Sequence, residues 1–87
     1  MNLRDSISDY TEQEFLDFLH EIDRINDQGS DKELSRLLLH FRAITEHPSG
    51  IDLLYRPQSP RDGEPEQVLK IVKAWRLKNG KPGFKGE

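Results

Sequence analysis

The apolar residues of this chain recur three or four positions apart, which is the spacing of one face of an α-helix. No stretch alternates apolar and polar residues as a half-buried strand does. The spacing therefore predicts an all-α fold. The first stripe comprises Phe15, Phe18, Leu19 and Ile22, the second Leu34, Leu37, Leu38, Phe41 and Ile44, and the last Val68, Ile71, Val72 and Trp75.

Residues typical of helix ends mark where these stripes start and stop. Thr11 with Glu14, and Ser30 with Glu33, have the spacing of capping boxes. Pro48 disfavours helical geometry at the residue before it, so the second helix must end nearby. The predicted helices run from about Glu12 to Asn26, from Ser30 to near Glu46, and from Pro65 to Asn79-Gly80.

The segment between Pro48 and Pro57 has room for about two helical turns. Ser49 is its expected cap, and Asp52 lies in the first turn, where a carboxylate favours the helix dipole. A helix this short is marginal in water unless its neighbours hold it. The sequence thus predicts four helices with a very short third one, and a glycine-rich tail whose Phe84 folds back onto the body.

Length and composition limit the class of protein. We expect residues 1–87 to form a single domain. The absence of Cys excludes disulfides and thiolate metal ligands. The first ten residues show no signal peptide, and no stretch approaches the roughly 18 apolar residues of a membrane span. These features predict a cytoplasmic protein that does not contact a membrane.

No residue pattern indicates catalysis or metal binding. His20, His40 and His47 have no ligand spacing, and their acidic neighbours are merely adjacent in sequence. There is no nucleophile elbow and no glycine-rich phosphate loop. We therefore predict no catalytic residue, no metal, no cofactor and no enzymatic activity.

Charge is divided unevenly along the chain. Residues 1–66 carry 15 acidic and 7 basic residues, a net charge of −8, whereas residues 67–87 carry 6 basic residues and 1 acidic one, a net charge of +5. An acidic surface repels nucleic acid and attracts basic proteins, although acidic proteins are common. A solvated helix face is the favoured explanation of the basic C-terminal segment. The alternative is a small helical regulator that binds nucleic acid through this segment. Its phosphate contacts would be Lys70, Lys73, Arg76, Lys78, Lys81 and Lys85.

Several residues lie off the core stripes and are candidates for partner recognition. Leu39 is predicted to be exposed, beside other solvent-facing residues of the second helix, in a mixed apolar and charged surface. Tyr55 is either a core residue with its hydroxyl at the surface or an exposed anchor, since Tyr is enriched at binding hot spots. Asp52 shares its helix face. The solvent-facing neighbours of Leu39 are Asp31, Ser35 and Arg42.

Three motifs resemble the immunity proteins of nuclease bacteriocins, the partners of DNase colicins and S-type pyocins. They are ISDYTEQEFL at Ile7–Leu16, TEHPSGIDLLY at Thr45–Tyr55 and VKAWRLKNGKPGFK at Val72–Lys85. The resemblance covers essentially the whole chain, with the motifs in the family's order. It implies a distorted four-helix bundle and a monomer that binds the nuclease domain of a cognate bacteriocin one to one.

The resemblance also implies a division of labour between two helices. The short helix presents an Asp and a Tyr to the toxin and supplies affinity, whereas the second helix selects the cognate toxin. Members bind beside the nuclease active site and exclude DNA by bulk and negative charge. The affinity positions are Ser49, Ile51, Asp52, Tyr55, Arg56 and Pro57, and the specificity positions are Asp31, Leu34, Ser35, Leu38, Leu39 and Arg42.

Two positions depart from the family's pattern. Members commonly carry Tyr-Tyr-Pro after the short helix, where this chain has Tyr55-Arg56-Pro57. Ile51 occupies a place that is often small and polar. Both differences bear on which toxin is bound.

Overall fold

The computed structural model describes residues 3–29, 31–55 and 63–86, and these form an all-helical protein. The helices are α1 (Glu12–Gln28), α2 (Asp31–Thr45), α3 (Asp52–Tyr55) and α4 (Pro65–Lys78). A 3₁₀ turn, Ile7–Asp9, precedes α1 and was not predicted. The expectation of a distorted four-helix bundle with a very short third helix is confirmed.

The first helix begins at the predicted capping box. The amide of Glu14 donates to Thr11 Oγ1 over 3.1 Å, and the amide of Thr11 donates to Glu14 Oε1 over 3.0 Å. The helix runs two residues beyond Asn26 because the chain first leaves helical geometry at Gly29, where φ is +75°. Glycine adopts this left-handed conformation without the penalty that a Cβ imposes.

One apolar core joins α1, α2, α4 and both ends of the described chain. Phe84 is 3% exposed, which confirms that the tail folds back. The amide of Lys85 donates to the Tyr10 carbonyl over 2.7 Å, and Ser8 Oγ donates to the Gly83 carbonyl over 3.0 Å. The buried apolar residues are Ile7, Tyr10, Phe15, Phe18, Leu19, Ile22, Ile25, Leu37, Phe41, Ile44, Val68, Leu69, Val72 and Phe84.

The buried face of α4 is rotated from the predicted stripe. Val68 and Val72 are buried as expected, but Leu69 and Arg76 join them, while Ile71 and Trp75 remain partly exposed. The prediction was wrong because it assigned Arg76 to solvent as a charged residue. Its guanidinium is instead buried with hydrogen-bond partners, the condition under which a charge is tolerated inside a protein.

The end of α2 agrees with the prediction, whereas the start of α3 does not. Ser30, the predicted cap of α2, lies outside the described residues. Thr45 is the last residue of α2, close to the predicted stop. The α-helical part of α3 begins only at Asp52, later than a cap at Ser49 predicts. The intervening chain forms tight turns, in which the Ser49 carbonyl accepts the Asp52 amide over 3.0 Å.

Among the described residues, no helix combines the length and the apolar character needed to cross a membrane.

Candidate functional site

A groove of about 710 Å³ separates α2 from the chain that leads into α3. We call it the α2–α3 groove. Its walls combine apolar, hydroxyl and charged groups, and it is open to solvent. The lining residues are Ser35, Leu38, Leu39, Arg42, His47, Pro48, Ser49, Gly50, Ile51 and Asp52.

The α2 wall contains four of the six predicted specificity residues. Leu39 is 66% exposed, and Ser35 and Arg42 are exposed beside it, as the helical spacing predicted. Leu38 also lines the groove but packs partly against the core. Asp31 is exposed at the start of α2 and Leu34 is half-buried, and neither lines the groove.

The opposite wall contains three of the predicted affinity residues. Ser49, Ile51 and Asp52 all line the groove and are exposed. Tyr55 lies outside the groove lining and is 47% exposed, so the core interpretation of this residue is wrong. Arg56 and Pro57, which follow it, lie outside the described residues.

The interior side of α3 explains how so short a helix stays in place. Leu53 and Leu54 are partly buried and pack against the core. Asp52 and Tyr55 flank these two residues in the sequence and remain exposed. Three successive amides, from Leu53 to Tyr55, are each bonded to a carbonyl of the preceding turn. The apolar residues of α3 therefore pack against the core, and its polar and aromatic residues remain at the surface.

His47 begins the turn between α2 and α3. Its Nδ1 accepts the amide of Ser49 over 3.0 Å, so the side chain stabilises the turn. The ring lies 5.1 Å from the Trp75 ring, centroid to centroid. Partial burial lowers the pKa of His47, which favours the neutral ring that can accept this bond.

Sequence reasoning missed the ion pair that ends α2. Arg76 is 4% exposed, and its Nη1 donates to the carbonyls of Ile44 (3.3 Å) and Thr45 (3.1 Å) and to Glu46 Oε2 (3.0 Å). Its Nε donates to the Pro82 carbonyl over 2.7 Å. The hydrogen bond from Arg76 lowers the pKa of Glu46, and Lys81 adds to the effect. One signal was present: Arg76 is seven residues after Leu69 and four after Val72, on the buried face.

The structure weakens the nucleic-acid alternative, because it buries one of the six cations and places two others beside carboxylates. Arg76 is buried in the contacts just described, so it cannot reach a phosphate. Lys73 Nζ lies 3.1 Å from Glu12 Oε2, and Lys81 Nζ lies 3.8 Å from Glu46 Oε2 and over the Trp75 ring. These carboxylates reduce the positive potential of the segment.

In the stretches that the structure describes, no group of three or more His, Asp or Glu residues is placed to hold a metal ion. The α2–α3 groove and its exposed neighbours combine apolar and charged side chains, as protein-recognition surfaces do.

Comparison with known proteins defines the family. A family model described as "Colicin immunity protein / pyocin immunity protein" matches residues 7–78. The pyocin-S1 and pyocin-S2 immunity proteins of Pseudomonas aeruginosa are each 46% identical over 85 residues, covering 95% of this chain and 98% of theirs. The chain belongs to the colicin and pyocin immunity protein family.

Solved structures agree with this assignment. A chain in the crystal structure of the pyocin AP41 DNase–immunity complex has a TM-score of 0.85 and 38% identity, covering 97% of this chain and all of that one. A chain in the structure of the mutant pyocin S8 nuclease domain with its cognate immunity protein has a TM-score of 0.75 and 36% identity. It covers 95% of this chain and all of that one.

Proposed function

We propose that this protein binds the DNase domain of one cognate bacteriocin of the colicin or pyocin type and inhibits it, so that the producing cell is protected. The complex contains one copy of each partner, and the free protein is a monomer. Residues 1–87 act as a single domain in the cytoplasm, without enzymatic activity. The observation that carries the proposal is the likeness to a chain of the pyocin AP41 DNase–immunity complex.

We assign affinity to the α3 side of the surface and specificity to α2. An exposed Tyr55 can bury its ring against a partner at a low cost in conformational entropy, and Asp52 can accept bonds from a basic or amide donor. Arg56 and Pro57 extend this side along the chain, together with Ser49 and Ile51. The specificity residues are Asp31, Leu34, Ser35, Leu38, Leu39 and Arg42.

The protein binds the nuclease beside its active site, and there it excludes DNA by its bulk and its negative charge. A DNA-binding enzyme carries basic surface, and the first 66 residues of this chain carry a net charge of −8. Attraction between the two surfaces speeds encounter, and the bound acidic protein then repels the phosphate backbone. No proton transfer or covalent step by this chain is needed.

A titration of nuclease activity tests the proposal. Purified protein is added to candidate pyocin and colicin DNase domains, and cleavage of plasmid DNA is followed. Nuclease activity should fall linearly and reach zero at one equivalent for the cognate nuclease. The degree of inhibition should not depend on added metal or on incubation time after mixing. Inhibition with turnover, or inhibition of no nuclease in the panel, would contradict it. A gel shift with DNA alone should show no complex.

A further inference from the structure

The backbone leaves α2 in an uncommon conformation. Glu46 has φ of +58°, the left-handed region, and is the one non-glycine residue with positive φ in the described part of the chain. Its amide still donates to the Arg42 carbonyl over 3.2 Å, as the last bond of the helix. Glycine is the usual residue at such a helix end, because a Cβ makes this conformation unfavourable. A glutamate persists there only if its surroundings hold it.

Arg76 and Lys81 stabilise Glu46 in this conformation. The Arg76 guanidinium contacts oxygens of three consecutive residues, the Ile44 and Thr45 carbonyls and the Glu46 carboxylate. Its Nη1 is therefore bonded both to the end of α2 and to the first residue after it. Lys81 approaches the same carboxylate oxygen from the turn after α4. Arg76, in the last turn of α4, and Lys81, just after this helix, thus fix the direction in which the chain leaves α2.

That direction determines where α3 lies. Only five residues separate Glu46 from Asp52, and two of them make further fixed contacts. His47 packs against Trp75, the neighbour of Arg76, and its Nδ1 holds the Ser49 amide. The four residues of α3 are too few for a helix that is stable alone. Its placement must come from its two flanks and from Leu53 and Leu54 beneath it.

We infer that Glu46 and Arg76 are positioning residues for nuclease binding: the ion pair fixes the start of the α3 segment, so that Asp52 and Tyr55 are presented in one orientation. The inference rests on the proposed function, because it concerns the same surface. Neither residue belongs to the affinity or the specificity set, and Arg76 is inaccessible to a partner. Pre-organisation of a binding segment raises affinity because less order must be created on binding.

The test separates positioning from stability with Glu46→Gly. Glycine accepts the left-handed backbone, which offsets the stability lost with the Glu46–Arg76 ion pair, so the midpoint of urea unfolding should change little. The contacts of the Glu46 carboxylate with Arg76 and Lys81 are lost in this variant. Amide hydrogen exchange at Leu53, Leu54 and Tyr55 should therefore become about tenfold faster in the free protein. The dissociation constant for the cognate nuclease should rise about tenfold. Glu46→Gln is the matched control, because its amide oxygen can still accept from Arg76.

The control and a double mutant decide between explanations. If the charge of Glu46 contacts the nuclease directly, Glu46→Gln will weaken binding while amide exchange in α3 stays at the wild-type rate, and the inference is wrong. In a Tyr55→Ala background the effect of Glu46→Gly should become smaller, because one of the two oriented side chains is gone. Strict additivity would contradict positioning. Unchanged exchange and affinity in Glu46→Gly would overturn it.

If the wild-type protein binds none of the tested nucleases, that result contradicts the proposed function and not the positioning by Glu46. The exchange measurement would still decide whether Glu46 holds the α3 segment.

Discussion

At the scale of single residues, exposure separates the two roles that an aromatic side chain can have in a small protein. Tyr10 is buried and its hydroxyl lies 3.0 Å from His40 Nε2, whereas Tyr55 is half-exposed at the end of α3. Removing Tyr10 must disturb the core. Removing Tyr55 takes away surface that the isolated protein does not use, so its effect should fall on binding.

Tyr55→Ala tests this at the proposed affinity surface. The dissociation constant for the cognate nuclease should rise at least about thirtyfold, the usual loss for a hot-spot residue. The urea unfolding midpoint should change little. Leu77→Ala is the control, because Leu77 is 80% exposed on α4 outside the proposed surface. A Tyr55→Ala protein that unfolds more easily but binds with full affinity would contradict the assignment.

Arg42 is the residue that tests specificity. Arg42 is an exposed cation on the α2 wall of the groove. The apolar part of its side chain lies beside Gly50, and its Cγ would be 3.7 Å from a Cβ at that position. Arg42 can be accommodated only by a nuclease with an acidic or acceptor group opposite, because like charges repel non-cognate partners. Arg42→Glu should lower the ratio of cognate to non-cognate affinity without loss of fold. An unchanged ratio of dissociation constants would remove Arg42 from the specificity set.

At the scale of helices, the start of α1 was predictable and the buried face of α4 was not. The capping box follows from two residues three positions apart, and both bonds depend on local backbone alone. The burial of Arg76 depends on carbonyls more than thirty residues away, which no local pattern contains. The same reason explains why the positive φ at Glu46 was missed. For the site, helical spacing predicted the exposure of Leu39 and Arg42 but could not decide that of Tyr55.

Thr11→Ala measures what the cap contributes to α1. Loss of the Thr11 hydroxyl leaves the Glu14 amide without its side-chain acceptor, so the free energy of unfolding should fall by about 1 kcal/mol. Thr11→Ser retains the hydroxyl and should stay close to the wild type. Urea unfolding at constant pH provides the comparison. Equal losses in the two variants would show that the threonine methyl group, and not the cap, is responsible.

At the scale of the whole molecule, several ionisable side chains make the fold weaker in acid, and His40, His47 and Glu14 are among them. Burial lowers the pKa of His40, and Arg36 adds to the effect, while burial alone lowers that of His47. The unfolded chain then takes up protons first, so stability falls as the pH drops below about 6.5. The hydrogen bond from Arg4 lowers the pKa of Glu14 to about 2, so its contribution is lost between pH 4.5 and about 2.

The urea midpoint should therefore decrease between pH 7.5 and 5.5, before Glu14 is protonated appreciably. His40→Gln should flatten this part of the profile, because the amide can still bond to Tyr10 and does not titrate. Measurement of the midpoint at half-unit intervals gives the slope for both proteins. A flat profile for the wild type in this range, followed by a loss only below pH 4.5, would show that the histidines do not contribute.

The contacts between Lys85 and Tyr10, and between Gly83 and Ser8, bring the two ends of the described chain near each other, and Leu3 and Lys85 line the same surface depression. A peptide linker of a few residues could therefore join them into a closed ring without moving any helix, since neighbouring ends tolerate such connections. A cyclic backbone would have fewer conformations when denatured, and its folded form would be unchanged. The ring should thus resist heat and exopeptidases better than the linear chain, with the α2–α3 groove still open to its partner.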